Sequence, residues 1–198
     1  MGPSSATDEL TLESRIADAA LRCVGRWGIA KTTLDDVARE AGCGRATIYR
    51  AFAGGKSAVL QAVVLREITH AEATIDAAVR DASTLDDVLV AGTLAASRLL
   101  REHAAFQFLL AHEPDVVLPF MSFERLDLFL RRATAFAAPY LAPYLPSGDV
   151  ARAAEWVVRV VLSYALNPSD HIDPTDEAGA RRLVTTYLLP AVQPLHRS

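Results

Sequence analysis

Residues 32–56 read TTLDDVAREAGCGRATIYRAFAGGK, and their spacing restricts the fold more than any other stretch of the chain. Leu34, Val37, Ala38 and Ala41 recur at three- and four-residue steps, the period of one apolar helix face. Gly42 follows where a helix stop is expected, because a residue without Cβ takes the left-handed conformation cheaply. A second short helix is expected over about 45–52. Ile48 and Phe52 lie four apart and can anchor it to a core, which leaves Arg45, Thr47, Tyr49 and Arg50 as outward candidates. Two short helices joined by a tight turn form a helix-turn-helix, whose second helix enters the major groove of DNA. The same spacing also occurs in helical proteins that never touch DNA, so the chemistry of the flanking residues has to decide.

That chemistry favours DNA. Thr33 stands at an expected N-cap, where a hydroxyl and a helix start can hold a phosphate. Lys56 follows Gly54 and Gly55 at the expected start of the next helix, a suitable place for a contact to the DNA backbone. Tyr49 is amphipathic and can present its hydroxyl to a phosphate oxygen. Thr33, Tyr49 and Lys56 are therefore expected to position the DNA backbone. Arg45 and Arg50 are candidates for bases or phosphates, and Thr47 for a base edge or methyl group.

With Thr32 through Gly42, Arg45 through Arg50, Phe52 and Lys56 all in this order, the segment from about residue 12 to 65 resembles the N-terminal domain of TetR-family transcriptional regulators. The resemblance implies an all-helical homodimer that binds double-stranded operator DNA and usually responds to a small molecule. Three positions depart from the family pattern. Ala51 stands where His or Tyr is frequent, Gly55 where Ser is usual before the Lys, and Ser57 where an acidic residue is usual after it. The first departure removes one possible phosphate contact, and the second weakens a helix cap.

A net charge of −4 looks unsuited to DNA until it is divided along the chain. Residues 12–66 carry nine Lys/Arg against five Asp/Glu, whereas 67–198 carry eleven against seventeen. A basic head on an acidic body keeps phosphate affinity local. No apolar run approaches the length of a membrane span, and the N-terminus lacks a basic region followed by an apolar stretch. Cys23 and Cys43 give no disulfide framework, so a reduced, cytoplasmic setting is expected.

The expected architecture is all-α, a three-helix DNA-binding head with a helical body that binds ligand and dimerises. Residues 1–10 are expected to be a mobile tail, 11–55 the DNA-binding domain and 56–198 the body. Ile16, Ala19, Ala20, Cys23, Val24 and Trp27 define a first helix over about 11–27, with Gly28 as its stop. A long helix is expected from about 56 to 79, linking head to body. Further helices are expected at about 84–101, 103–112, 121–138, 149–166 and 176–193. Eight of the ten prolines fall between Pro114 and Pro190, which makes the body the more interrupted part.

Two apolar stripes in the body have the width of a dimer interface: Val150, Val157, Val161 and Tyr164 on one helix, Leu183 and Tyr187 on the last. They also suit the closing of a monomer core. Aromatics concentrate over 103–144, beside Gln107, His112, Glu113 and Arg125. Aromatics among a few polar groups suit an enclosed small-molecule pocket, and equally an ordinary core. The candidate lining is Phe106, Phe108, Phe123, Arg125, Phe129 and Trp156, with Arg125 or Arg98 to hold a carboxylate. The stretch from His112 to Arg125 resembles the body of actinobacterial members of the family. A largely apolar effector is expected.

No cofactor, metal site or enzymatic activity is expected. His112-Glu113 begins like a zinc-protease motif, but Pro114 interrupts it and position 116 is Val. Glu67-x-x-His70 has no second copy, as a di-iron bundle requires, and there is no Gly-rich phosphate loop, nucleophile elbow or Cys-x-x-Cys.

Overall fold

The computed structural model describes residues 4–113, 115, 123–167 and 169–192, and the described residues are helical without any named strand. The helices are α1 (Ser4–Lys31), α2 (Leu34–Ala41), α3 (Arg45–Ala51), α4 (Gly55–Val79), α5 (Leu85–Glu102), α6 (Ala104–His112), α7 (Phe123–Leu141), α8 (Val150–Leu166) and α9 (Glu177–Leu183). A π turn over Val184–Leu188 and a last short helix, α10 (Leu189–Val192), complete the order. The expected helices are all present, most of them within two residues of the expected ends. The expected tail differs, because α1 already begins at Ser4.

Two compact units divide the chain differently from the expected boundary near residue 55. The first takes residues up to His70 together with 104–117, and the second takes 71–103 and the rest. The reason is packing across long sequence separations. α6 lies on α1, and the first half of α4 contributes Val59 and Val63 to the core of the head.

In the first unit one apolar cluster joins α1 (Ile16, Ala19, Ala20, Cys23), α2 (Leu34, Val37, Ala38, Ala41), Ile48, Phe52 and α4. Burial raises the Cys23 thiol above its ordinary value, with Glu40 and Asp36 adding to the effect, so this thiol is a core group and not a nucleophile. α1 does not simply stop at Gly28. It breaks there, at φ 82 and ψ 172, and one further turn runs to Lys31. Trp27, expected on the apolar face, stands 41% exposed.

In the second unit α5, α7, α8 and the C-terminal helices enclose a core of Val88, Leu89, Leu141, Ala153, Ala154, Val161, Val184 and Leu188. Arg132 pairs with Glu72 at 2.9 Å, and the Tyr140 hydroxyl donates to Asp76 at 2.7 Å, so the end of α4 is tied to α7. Burial, then the Asp76 carboxylate, push the Tyr140 hydroxyl up to about 12. This packing takes up part of the two apolar stripes. Leu183 is 0% and Val161 8% exposed inside the core, and Val150 and Val157, half-buried, pack against it. The outward groups on the same helices are Trp156 (45% exposed) and Tyr187 (43%), and the Tyr164 and Tyr187 rings lie 6.0 Å apart.

Candidate nucleic-acid interface

α2 is built as its sequence dictates. Thr33 has extended backbone and caps the helix. Its Oγ1 accepts from the Asp36 amide at 3.2 Å, and the Asp36 carboxylate accepts from the Thr33 amide at 3.1 Å. This reciprocal box satisfies two of the donors that a helix start leaves open. At the other end Gly42 is left-handed (φ 65), and its amide reaches the carbonyls of Ala38 and Arg39. Arg15 adds a donor to the Ala41 carbonyl at 2.8 Å, which fixes the C-terminus of α2 against α1.

α3 follows after three residues and has seven residues, too few to be stable alone. Ile48 is fully buried and Phe52 nearly so, which holds the helix by one face. The opposite face carries Arg45, Tyr49 and Arg50, all exposed, with Thr47 half-buried beside them. Gly55 begins α4 at φ 59, with the Tyr49 ring 3.2 Å from where a Cβ would stand. A serine, usual in the family at this place, would be strained here. The glycine is therefore the fitting residue and not a weakened cap.

Between α2, α3 and the start of α4 lies an open cleft of about 660 Å³. Thr33, Arg45, Tyr49 and Lys56 line it, so four of the six residues expected at DNA converge on one place, together with Asp35. Thr47 and Arg50 lie outside the cleft on α3, where Arg50 donates to the Thr47 hydroxyl at 3.3 Å.

Three of these groups are not free as the sequence suggests. The Thr33 hydroxyl donates to Asp36 as well as accepting from its amide. The Lys56 ammonium donates to the Ile29 carbonyl at 2.6 Å, which leaves two of its hydrogens for another acceptor. Arg45 lies 3.1 Å from the Asp35 carboxylate, donates to the Tyr49 hydroxyl at 3.4 Å and stands 5.7 Å from the centre of that ring. The Tyr49 hydroxyl and the Asp35 charge hold the Arg45 guanidinium above its ordinary value. Sequence reasoning missed Asp35, because an acidic residue in the first turn of a helix is read as a dipole partner and nothing more.

The proposed pocket lining falls in both units. Phe108 stacks on His112 with ring centroids 4.4 Å apart, and Phe106 is half-buried, both within the first unit. Phe129 is 41% exposed, and the Trp156 indole donates to the Tyr187 carbonyl at 3.3 Å on an open face. The side chains of Phe123 and Arg125 lie outside the described residues. Arg98 is occupied by the Thr175 carbonyl at 2.8 Å. Among the described residues no cluster of His, Cys, Asp and Glu has the geometry of a metal site.

The head's carboxylates make a pH dependence. Hydrogen bonds from Thr33 hold Asp36 below its ordinary 3.8, and the Arg22 guanidinium holds Glu40 below 4.5. Asp76 is lowered by Tyr140, and Asp173 by Thr175. A depressed folded value means that the unfolded chain binds the proton more readily, so the stability is present above the ordinary values and lost as pH falls through them. The melting temperature should be flat from about pH 7 to pH 5 and should fall progressively below about pH 4.5, measured by circular dichroism.

Residues 16–63 match the model of the bacterial regulatory proteins of the tetR family. The HTH-type transcriptional regulator Rv1255c of Mycobacterium tuberculosis is 30% identical over 183 residues, 91% of this chain and 85% of that protein. The chain belongs to the TetR family. It is a DNA-binding transcriptional regulator and not an enzyme. The fold is similar to that of the TetR family repressor AlkX from Dietzia sp. strain DQ12-45-1b, implicated in biodegradation of n-alkanes, with a TM-score of 0.62, 24% identity and coverage of 91% of this chain and 97% of that one. It is similar also to the fatty acid degradation regulator FadR from Bacillus halodurans, with a TM-score of 0.60, 18% identity and coverage of 95% and 96%. In this TetR-family regulator the matched segment holds the whole of α2 and α3, and no helix of the described residues is long and apolar enough to cross a membrane.

Proposed function

We propose that this regulator is a homodimeric repressor, released from its operator by a small, largely apolar ligand bound in the body. Thr33, Arg45, Thr47, Tyr49, Arg50 and Lys56 are the residues assigned to DNA. A dimer reads two half-sites and gains from both, and half-sites one helical turn apart demand a fixed spacing of the heads. The exposed aromatic face of Trp156 and Tyr187 supports self-association, since such residues are enriched where interfaces form. Sedimentation should give twice the chain mass of 21.4 kDa, and Trp156→Glu should give the monomer.

The observation that carries the effector reading lies on α5. Thr93 and Ser97 are one turn apart, 2% and 0% exposed, and neither hydroxyl has a partner among the described residues. A buried hydroxyl without a partner costs about 1–3 kcal/mol, a cost that a ligand's polar group would remove. Two relatives in fold are tied by their names to n-alkanes and to fatty acids, which supports a long apolar ligand with at most one polar end. Thr93→Val and Ser97→Ala should each stabilise the free protein by about 1 kcal/mol, raising the melting temperature by about 2–4 °C.

The test is operator release, followed by anisotropy of a labelled duplex, on titration with fatty acids and alkanols of increasing chain length. Saturable release is expected, weakened in Thr93→Val. If no such molecule has a saturable effect, the second reading stands: an effector-independent module whose body only dimerises or binds a partner protein.

A further inference from the structure

The geometry points to Glu113 as a positioning residue for DNA binding, one that never touches DNA itself. The break of α1 at Gly28 starts a new turn, whose first amides have no carbonyl behind them. The Glu113 carboxylate, just past the end of α6, takes both. It accepts from the Ile29 amide at 2.7 Å and from the Ala30 amide at 3.1 Å. Gly28 takes φ 82, which side chains with a Cβ rarely adopt, and a Cβ there would stand 2.2 Å from Glu113 Oε1 and push the carboxylate away.

The same short turn meets the DNA-facing cleft on its other side. The Ile29 carbonyl is the acceptor for Lys56 Nζ at 2.6 Å, and Ala30 lines the cleft beside Thr33. Thr32 returns its hydroxyl and its amide to the Gly28 carbonyl, at 2.6 and 3.3 Å. One peptide unit is thus held by a carboxylate from α6 and by an ammonium from α4, three residues before the box that starts α2. Glu113 fixes where Lys56 points and where α2 begins relative to α1.

The sign of the effect separates this role from plain electrostatics. A carboxylate near a phosphate-binding cleft repels DNA, so by charge alone its removal strengthens binding. By positioning, removal weakens binding, and an uncharged side chain that still accepts a hydrogen bond restores most of it. Glu113→Ala should lower affinity for the selected operator duplex by about five- to tenfold, and Glu113→Gln should stay within about threefold of wild type. Gly28→Ala, which displaces the carboxylate, should weaken binding similarly. In the double variant the two losses should not add, because both break one contact.

The wild type and all four variants are titrated with that duplex well below their melting temperatures, with amide exchange at Ile29 and Ala30 followed in parallel. Faster exchange together with weaker binding in Glu113→Ala, rescued in Glu113→Gln, supports the role. Wild-type affinity in Glu113→Ala, or a gain shared by Ala and Gln, overturns it. If Glu113→Ala does not fold, Glu113→Asp, which keeps the charge and withdraws the carboxylate by one methylene, decides in its place: weaker binding supports the role and wild-type affinity overturns it.

Discussion

Arg45→Ala should reduce affinity for the operator by about ten- to a hundredfold and flatten the preference at the base it reads. The expectation rests on where Arg45 is held. Its guanidinium is braced by the Asp35 carboxylate and the Tyr49 hydroxyl at the first position of α3, the end of a recognition helix that meets base edges. A braced arginine loses less side-chain freedom on binding than a free one. The companion change has the opposite sign. Asp35→Asn removes a negative charge from the cleft and loosens Arg45, so affinity for unrelated DNA should rise while discrimination falls. Both are read by competition of operator against random duplex at one salt concentration. Equal losses on operator and random DNA in Arg45→Ala would assign Arg45 to phosphates.

The second large effect is on stability. Ile48→Ala should cost about 2–5 kcal/mol, a large share of the 5–15 kcal/mol that holds an ordinary domain together. Ile48 is 0% exposed at the centre of the cluster that joins α1, α2, α3 and α4. α3 has few apolar groups with which to hold itself in place, so a cavity at Ile48 releases the helix that reads DNA. Denaturant unfolding followed by circular dichroism gives the loss. Operator binding should disappear at temperatures where the second unit remains helical.

The sequence announces α2 and α3 because everything that builds them is local. The apolar spacing of Leu34 to Ala41, the Thr33 cap and the left-handed Gly42 lie within ten residues, and the structure forms them as the spacing requires. The place of α6 was not legible. Glu113 meets the amides of Ile29 and Ala30 across more than eighty residues, and no period in the chain marks such a contact. For the same reason the expected division at residue 55 separates helices that pack as one unit. At the C-terminus the π turn breaks the 3.6-residue period that groups Tyr187 with Leu183 and Val184, so Tyr187 faces outward while the other two are buried. The Thr33 hydroxyl and the Asp35 charge show another limit. A residue type suggests what a side chain can hold, while its neighbours decide what it already holds.

Selection of bound sequences from a random duplex pool, with the winner titrated at two salt concentrations, tests the central claim most directly. The expected result is a palindromic winner whose half-sites are centred about one helical turn apart, with log affinity falling steeply against log salt at a slope of about −5, as several phosphate contacts on each of two heads require. Weak binding that enriches no sequence and barely responds to salt would contradict the claim that the cleft between α2, α3 and α4 reads an operator.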